Sequence, residues 1–77
     1  MKILILNLIK KLLFENIDKD FTVEDINSYL SSNNVNVSNQ TVANYMKYLI
    51  ALGFNITISH DRYNKYFYRM NDKEVKY

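Results

Sequence analysis

Two amide side chains, those of Gln40 and Asn44, stand four positions apart in a stretch with helical periodicity. Residues at this spacing lie on one face of a helix, one turn apart. An amide group both donates and accepts, and Asn and Gln side chains pair in this way with adenine in the major groove of DNA. Asn39 carries the same group. The spacing therefore predicts a surface that reads bases.

The residues between and beside these amides fit the same interpretation. Ala43 leaves room for a base or contacts a thymine methyl group. Ser38 and Thr41 carry hydroxyl groups that reach phosphates, and Lys47 supplies a cation for the DNA backbone. A second interpretation stays open, because the chain contains eleven Asn. In such a chain each of these residues is also explained as an ordinary solvated side chain.

One helix, from Ser38 to Gly53, must present this surface. Ser38 is a good N-cap residue, and Gly53, the only glycine in the chain, stands where a helix ends on a left-handed residue. A step of about 100° per residue divides the helix into two faces. The inner face is apolar and contains Val42, Tyr45, Met46, Leu49 and Leu52. The outer face contains Gln40, Ala43, Asn44, Lys47 and Ala51.

Two further helices are predicted upstream. Residues 3–17 have a wide apolar arc interrupted by regularly spaced polar residues. Ile3 to Leu6 add apolar surface, so the helix is either buried by its own domain or paired with a second subunit at its N-terminal part. Thr22 and Asp25 form a capping-box pattern, which starts a helix near Val23 that runs to about Ser31. Its inner face has Val23, Ile26 and Leu30, and its solvent face has Glu24, Asp25, Asn27 and Ser28.

After Gly53 the period changes from 3.6 to 2. Apolar and polar residues alternate from Phe54 to Ser59, as in a half-buried strand, and Ile56 to Met70 is predicted to form a β-hairpin. The hairpin loop carries Arg62, Asn64 and Lys65, which suit contacts with phosphate or with a narrow minor groove. The charged segment 71–77 is expected to fray.

The predicted order is three helices followed by a two-stranded β-hairpin, an α+β winged helix-turn-helix in a single domain, residues 1–77. The stretch VNVSNQTVANYMKYLIALGFNI resembles the recognition helix and following strand of bacterial WYL-type and DeoR-like regulators. In those regulators a Ser-x-x-Thr-Val start leads to an apolar seam and ends in Leu-Gly-Phe. The resemblance implies that the third helix reads DNA and that the hairpin is the wing.

A second resemblance involves TVANYMKYL and KYFYRMND. Both are similar to the winged helix of a family of prokaryotic AAA-type ATPases, where a Val-x-Asn-Tyr-x-x-Tyr-Leu helix precedes a Lys-Tyr-Tyr strand. Because this sequence has no Walker motif, that resemblance implies a module detached from a larger ATPase. The two resemblances imply one fold and leave the function to be argued from the surface.

Composition limits the other possibilities. With ten Lys and Arg, eight Asp and Glu, one His, one Gly and no Cys, the chain offers no catalytic or metal-binding motif, so neither an enzyme nor a cofactor is predicted. The net charge of +2 is compatible with nucleic acid but does not by itself predict binding. The apolar N-terminal run is too short to span a membrane, and a cytoplasmic protein is expected.

The sequence therefore predicts a transcriptional regulator that binds double-stranded DNA as a homodimer through its first helix. An A·T-rich site is expected, because the third helix carries no Arg near its start and Arg is the commonest reader of guanine. The alternative is a protein-interaction winged helix. Its contact area would come from aromatic residues, namely Tyr45, Tyr48, Tyr63, Tyr66 and Tyr68.

Overall fold

The structure, a computed structural model, describes residues 2–75 of the chain and the side chains of residues 3–71. Over this part the fold is α+β, with three helices and a three-stranded antiparallel sheet. In chain order the elements are α1 (Lys2–Phe14), β1 (Asp20–Phe21), α2 (Val23–Ser32), α3 (Asn39–Ala51), β2 (Phe54–His60) and β3 (Tyr66–Val75).

Side-chain caps start α2 and α3 where the sequence predicts them. The Thr22 hydroxyl accepts from the Asp25 backbone N–H, and the Asp25 carboxylate accepts from the Thr22 backbone N–H, both at 3.0 Å. The Ser38 hydroxyl accepts from the Thr41 backbone N–H at 3.1 Å. These bonds satisfy backbone donors that have no partner within the helix. Both predicted helix starts are confirmed.

The end of α3 is set by backbone conformation. Leu52 still has right-handed dihedrals, and Gly53 follows with φ of 101°. A residue with a Cβ atom is disfavoured at such a φ, whereas glycine is not. The chain turns here from helix into β2, as the lone glycine predicts.

The core lies between the helices and β3. Ile5, Ile9 and Leu13 form the buried stripe of α1 at a spacing of four residues. The other fully or nearly fully buried apolar side chains are Phe21, Ile26, Leu30, Val35, Val42, Met46, Leu49, Tyr68 and Met70. Burial raises the pKa of the Tyr68 hydroxyl, because the ionised form is poorly solvated there.

Two predicted inward-facing residues are exposed instead. Leu52 is 47% exposed although its backbone is still right-handed and its N–H donates to the Tyr48 carbonyl, so the core does not extend to the C-terminal end of α3. Ile58 is 48% exposed, because only the first residues of β2, Phe54 to Ile56, are partly buried against the core. The predicted alternation of buried and exposed side chains is therefore not seen in β2: residues 54–56 are all partly buried, and residues 57–60 are all exposed, because only the start of the strand lies against the core.

The sheet has three strands in the order β1, β3, β2, so the predicted two-stranded hairpin is incomplete. Phe21 of β1 lies opposite Tyr68 of β3, and Asp20 lies opposite Arg69. The Arg69 guanidinium donates to the Asp20 carboxylate at 3.0 and 3.3 Å, and this bond raises the pKa of Arg69. A strand of two residues is too short to show a period, which is why the sequence pattern does not identify it.

The other end of the sheet also differs from the prediction. β3 continues past Met70 to Val75 and pairs there with Phe54 of β2, with an irregularity between Phe54 and Ile56. β3 therefore extends five residues beyond Met70, the predicted end of the hairpin. Residues 76 and 77 lie outside the described part of the chain.

Replacement of Gly53 by Val should lower the free energy of unfolding by about 1 to 2 kcal/mol or more, because a β-branched residue is disfavoured at this positive φ. Urea unfolding followed by circular dichroism measures the change. Asn34→Gly is the matched control, since Asn34 also has a positive φ, 63°, which glycine adopts freely. Equal stability of Gly53→Val and the wild type would contradict the assigned end of α3.

Candidate functional site

The predicted base-reading surface is accessible along the first nine residues of α3. Ser38 precedes the helix and is exposed, as are Asn39, Gln40, Asn44 and Lys47. Thr41 and Ala43 are partly buried. Because Val42, Met46 and Leu49 occupy the core, the polar residues face away from it. The structure therefore brings the helix members of the predicted set onto one surface.

The two amides at helical spacing contact each other. Gln40 Nε2 donates to Asn44 Oδ1 at 3.1 Å. This contact uses one hydrogen of Gln40 and one lone pair of Asn44, so each amide keeps both a donor and an acceptor. A pair of this kind stabilises a helix by a few tenths of a kcal/mol, roughly 0.2 to 0.5. Its main effect is to order two hydrogen-bonding groups on the helix surface.

Asn27 of α2 forms hydrogen bonds with the turn before α3, although the sequence analysis places it on the solvent face of α2. Its Nδ2 atom donates to the Val37 carbonyl at 3.0 Å and to Asn39 Oδ1 at 2.7 Å. Its Oδ1 atom is buried and has no partner among the described residues. An unpaired buried acceptor costs about 1 to 3 kcal/mol, which two bonds of about 0.5 to 1.5 kcal/mol each offset.

An apolar groove borders the same surface. It has a volume of about 570 Å³ and is lined by Ile3, Leu6, Thr41, Asn44, Tyr45 and Tyr48. Ile3 is 75% exposed at the start of α1, and Tyr48 is half exposed. Thr41 and Asn44 thus belong both to the predicted base-reading surface and to this groove. A partner that fills the groove would cover Asn44.

The hairpin loop is organised by Asp61. Its Oδ1 atom accepts from the backbone N–H groups of Tyr63 at 2.8 Å and Lys65 at 3.0 Å. Asn64 has a φ of 62°, so its residue type is explained by the left-handed conformation that Asn tolerates. The Arg62 guanidinium lies 5.1 Å from the centre of the Tyr63 ring. Arg62, Asn64 and Lys65 are all exposed.

No helix among the described residues is long and apolar enough to cross a bilayer. Among the described side chains, those of residues 3–71, no group of three His, Asp or Glu lies close enough together to hold a metal ion.

No protein-family model, no curated protein and no solved structure matches this chain. The two family resemblances remain predictions from sequence motifs.

The Asp61 contacts predict how the hairpin loop responds to mutation. Asp61→Ala should speed hydrogen exchange at the Tyr63 and Lys65 amides about 2- to 10-fold, corresponding to a loss of roughly 0.5 to 1.5 kcal/mol. Asp61→Asn is the matched control, because it keeps an acceptor oxygen and should change exchange less. Nuclear magnetic resonance measures both rates. Unchanged exchange in Asp61→Ala would show that the side chain does not order the loop.

Proposed function

We propose that this chain is a sequence-specific DNA-binding module with a winged helix-turn-helix fold. In this proposal α2, the turn and α3 form the helix-turn-helix, α3 enters the major groove, and β2 with β3 forms the wing. The observation that carries the proposal is the continuous exposed polar surface of α3. On this surface Gln40 and Asn44 form a hydrogen-bonded amide pair, and Lys47 lies about one helical turn after Asn44. A transcriptional regulator is the function that suits such a module.

The charges of the chain determine the expected affinity for DNA, and its amide side chains determine the expected base composition of the site. Lys47, Arg62 and Lys65 are the exposed cations assigned to phosphates, and the net charge is only +2. Few phosphate contacts mean weak binding by one copy. A homodimer on two half-sites about one helical turn apart would supply the missing affinity. Adenine is the base that amide side chains pair with, so an A·T-rich site is proposed.

The groove limits which part of α1 can hold the second copy. Ile3 lines the groove together with Asn44, so a dimer built on Ile3 would cover a base-reading residue. Leu4 is half exposed and is not among the groove residues, and Leu8, four positions on, is partly buried on the same face of α1. The dimer compatible with DNA binding therefore uses Leu4 and Leu8.

The groove also favours a second candidate function, a protein-interaction winged helix. Ile3, Tyr45 and Tyr48 provide apolar and aromatic area of the kind enriched in protein interfaces. Tyr63 and Tyr66 are exposed on the hairpin. In this alternative a segment of a protein partner fills the groove, and the chain serves as a module, as in the larger ATPases that it resembles.

Substitutions of the proposed base-contacting residues and of the proposed phosphate-contacting residues should affect DNA binding in different ways. Gln40→Ala and Asn44→Ala should each weaken binding at the preferred site by about 1 to 3 kcal/mol and relax the base preference there. Lys47→Ala, Arg62→Ala and Lys65→Ala should weaken all sequences alike and lower the salt slope by about one. Selection from a randomised A·T-rich library, followed by anisotropy titration at several salt concentrations, measures both effects.

The wild type is the reference in the same assay. If the wild type enriches no sequence and shows no salt-dependent binding, the DNA-binding proposal is rejected. The interaction module would then be the better account, and Tyr48 and the hairpin tyrosines would be the next residues to mutate.

The dimer proposal is tested by two adjacent substitutions. Leu4→Glu should give a folded monomer with weaker DNA binding, because the charge lies in the proposed interface. Ile3→Glu, the matched control, makes the same change on the groove side and should leave the dimer intact. Sedimentation velocity at high micromolar concentration measures the oligomer. A monomeric wild type, or dissociation by Ile3→Glu alone, would contradict the proposed interface.

A further inference from the structure

The strand β2 forms one edge of the described sheet, because the strand order is β1, β3, β2. The regular part of its pairing with β3 runs from Ile56 to His60. Residues 57–60 are all exposed, so no other described element covers their side chains. The second half of β2 therefore has one long side that faces solvent and not another strand.

The hydrogen bonds of the hairpin show which backbone groups point to this open edge. Just beyond β2, the Asp61 N–H donates to the Lys65 carbonyl at 3.1 Å, and these two residues continue the register of the strands by one position. Hydrogen-bonded and non-hydrogen-bonded positions alternate along an antiparallel pair. The N–H and C=O groups of every second residue of β2 therefore point away from β3. These residues are Ile56, Ile58 and His60.

The residue types along this edge do not oppose pairing with a further strand. Exposed sheet edges are commonly protected by Lys, by other charged residues or by Pro. Residues 54–60 contain no Pro, Asp, Glu, Lys or Arg. Ile58, which is apolar and β-branched, is 48% exposed. The edge therefore offers backbone donors and acceptors and an apolar side chain, without a charge that would repel a second copy of the same strand.

We propose that the outer edge of β2 pairs in antiparallel orientation with β2 of a second copy of this chain, with the two-fold axis at Ile58. Ile58 is the middle residue of the regular stretch from Ile56 to His60, so this register pairs the whole stretch with itself. The two Ile58 residues exchange both backbone hydrogen bonds, and Ile56 lies opposite His60 of the second copy. The exposed Ile58 side chains then contact each other across the axis.

This contact lies on a different element from the proposed dimer interface at Leu4, and it does not rest on the proposed DNA binding. Each of the two contacts is isologous, because it joins the same residues of both copies. A chain with two different isologous contacts can link dimers into larger assemblies. The β2 contact buries little surface, so it is expected to be weak in solution and to form most readily between copies already held close together.

Single-cysteine variants test the register, because the chain contains no Cys. In Ile58→Cys the two Cα atoms would lie about 5.5 Å apart across the axis, within the range of about 4.4 to 6.8 Å that a disulfide spans. His60→Cys is the matched control, because its two copies would lie about 14 Å apart, four strand positions of about 3.4 Å. With copper–phenanthroline as the oxidant and without DNA, Ile58→Cys should form covalent dimers at least about 10-fold faster. Non-reducing gel electrophoresis measures both rates.

A charge at the centre of the contact tests the pairing without a covalent bond. Ile58→Lys places two like charges directly opposite each other, which disfavours the pair. Ser59→Lys is the matched control, because Ser59 would lie opposite Thr57 of the second copy. The backbone amide signal of His60 should shift with protein concentration in the wild type and in Ser59→Lys, but not in Ile58→Lys. Nuclear magnetic resonance of a dilution series measures the shifts.

The outcomes of both experiments are decisive. Equal rates of covalent dimer formation in Ile58→Cys and His60→Cys would overturn the proposal. It would also be overturned by a His60 amide signal that does not depend on the concentration of the wild type. Ile58, Ser59 and His60 are exposed, so circular dichroism should show the wild-type fold in every variant. Since no DNA is present, failure of the DNA-binding proposal leaves both tests unaffected.

Discussion

Burial of Val42, Met46 and Leu49 fixes the rotation of α3 about its own axis, and the exposed surface of the domain depends on that rotation. Side chains on opposite faces of a helix cannot be exchanged without turning the whole helix, which would expose these three residues. Each fully buried aliphatic or Met side chain is worth about 1.5 to 3 kcal/mol. In a domain of this size that is a large part of the total stability. The polar surface of α3 is therefore held outward by the core beneath it.

Polar contacts then determine which hydrogen-bonding groups the exposed surface of α3 offers to a partner. The Gln40–Asn44 pair leaves a donor and an acceptor on each amide, and the Asn27 contact orients the amide of Asn39 while one lone pair of its oxygen stays available. Neighbouring side chains thus orient the amides that this surface presents. The Oδ1 atom of Asn27 is buried and has no partner among the described residues, so the hydrogen bonds of Asn27 to the turn are formed at a cost in solvation.

The groove between α1 and α3 places two proposed activities in competition. Asn44 belongs to the proposed base-reading surface and also lines the groove with Ile3 and Tyr48. A protein segment in the groove and a base pair against α3 would exclude each other at Asn44. Under the two proposals the domain would bind one of them at a time, and in the proposed dimer the second copy would approach α1 from the side of Leu4.

The sequence by itself determined the features that depend on residues within about four positions of one another. The caps at Thr22 and Ser38, the left-handed Gly53 and the buried stripe of α3 are local in this sense. The tertiary structure decided the features that join distant residues. Asp20 meets Arg69 across 49 positions to add a third strand, and Asn27 meets Asn39 across 12 positions to fix an amide. It also brought Ile3 beside Tyr48 and left Leu52 and Ile58 exposed. A helical or strand period shows which face of an element is apolar, but the packing of the elements decides where that face ends and which distant side chains it meets.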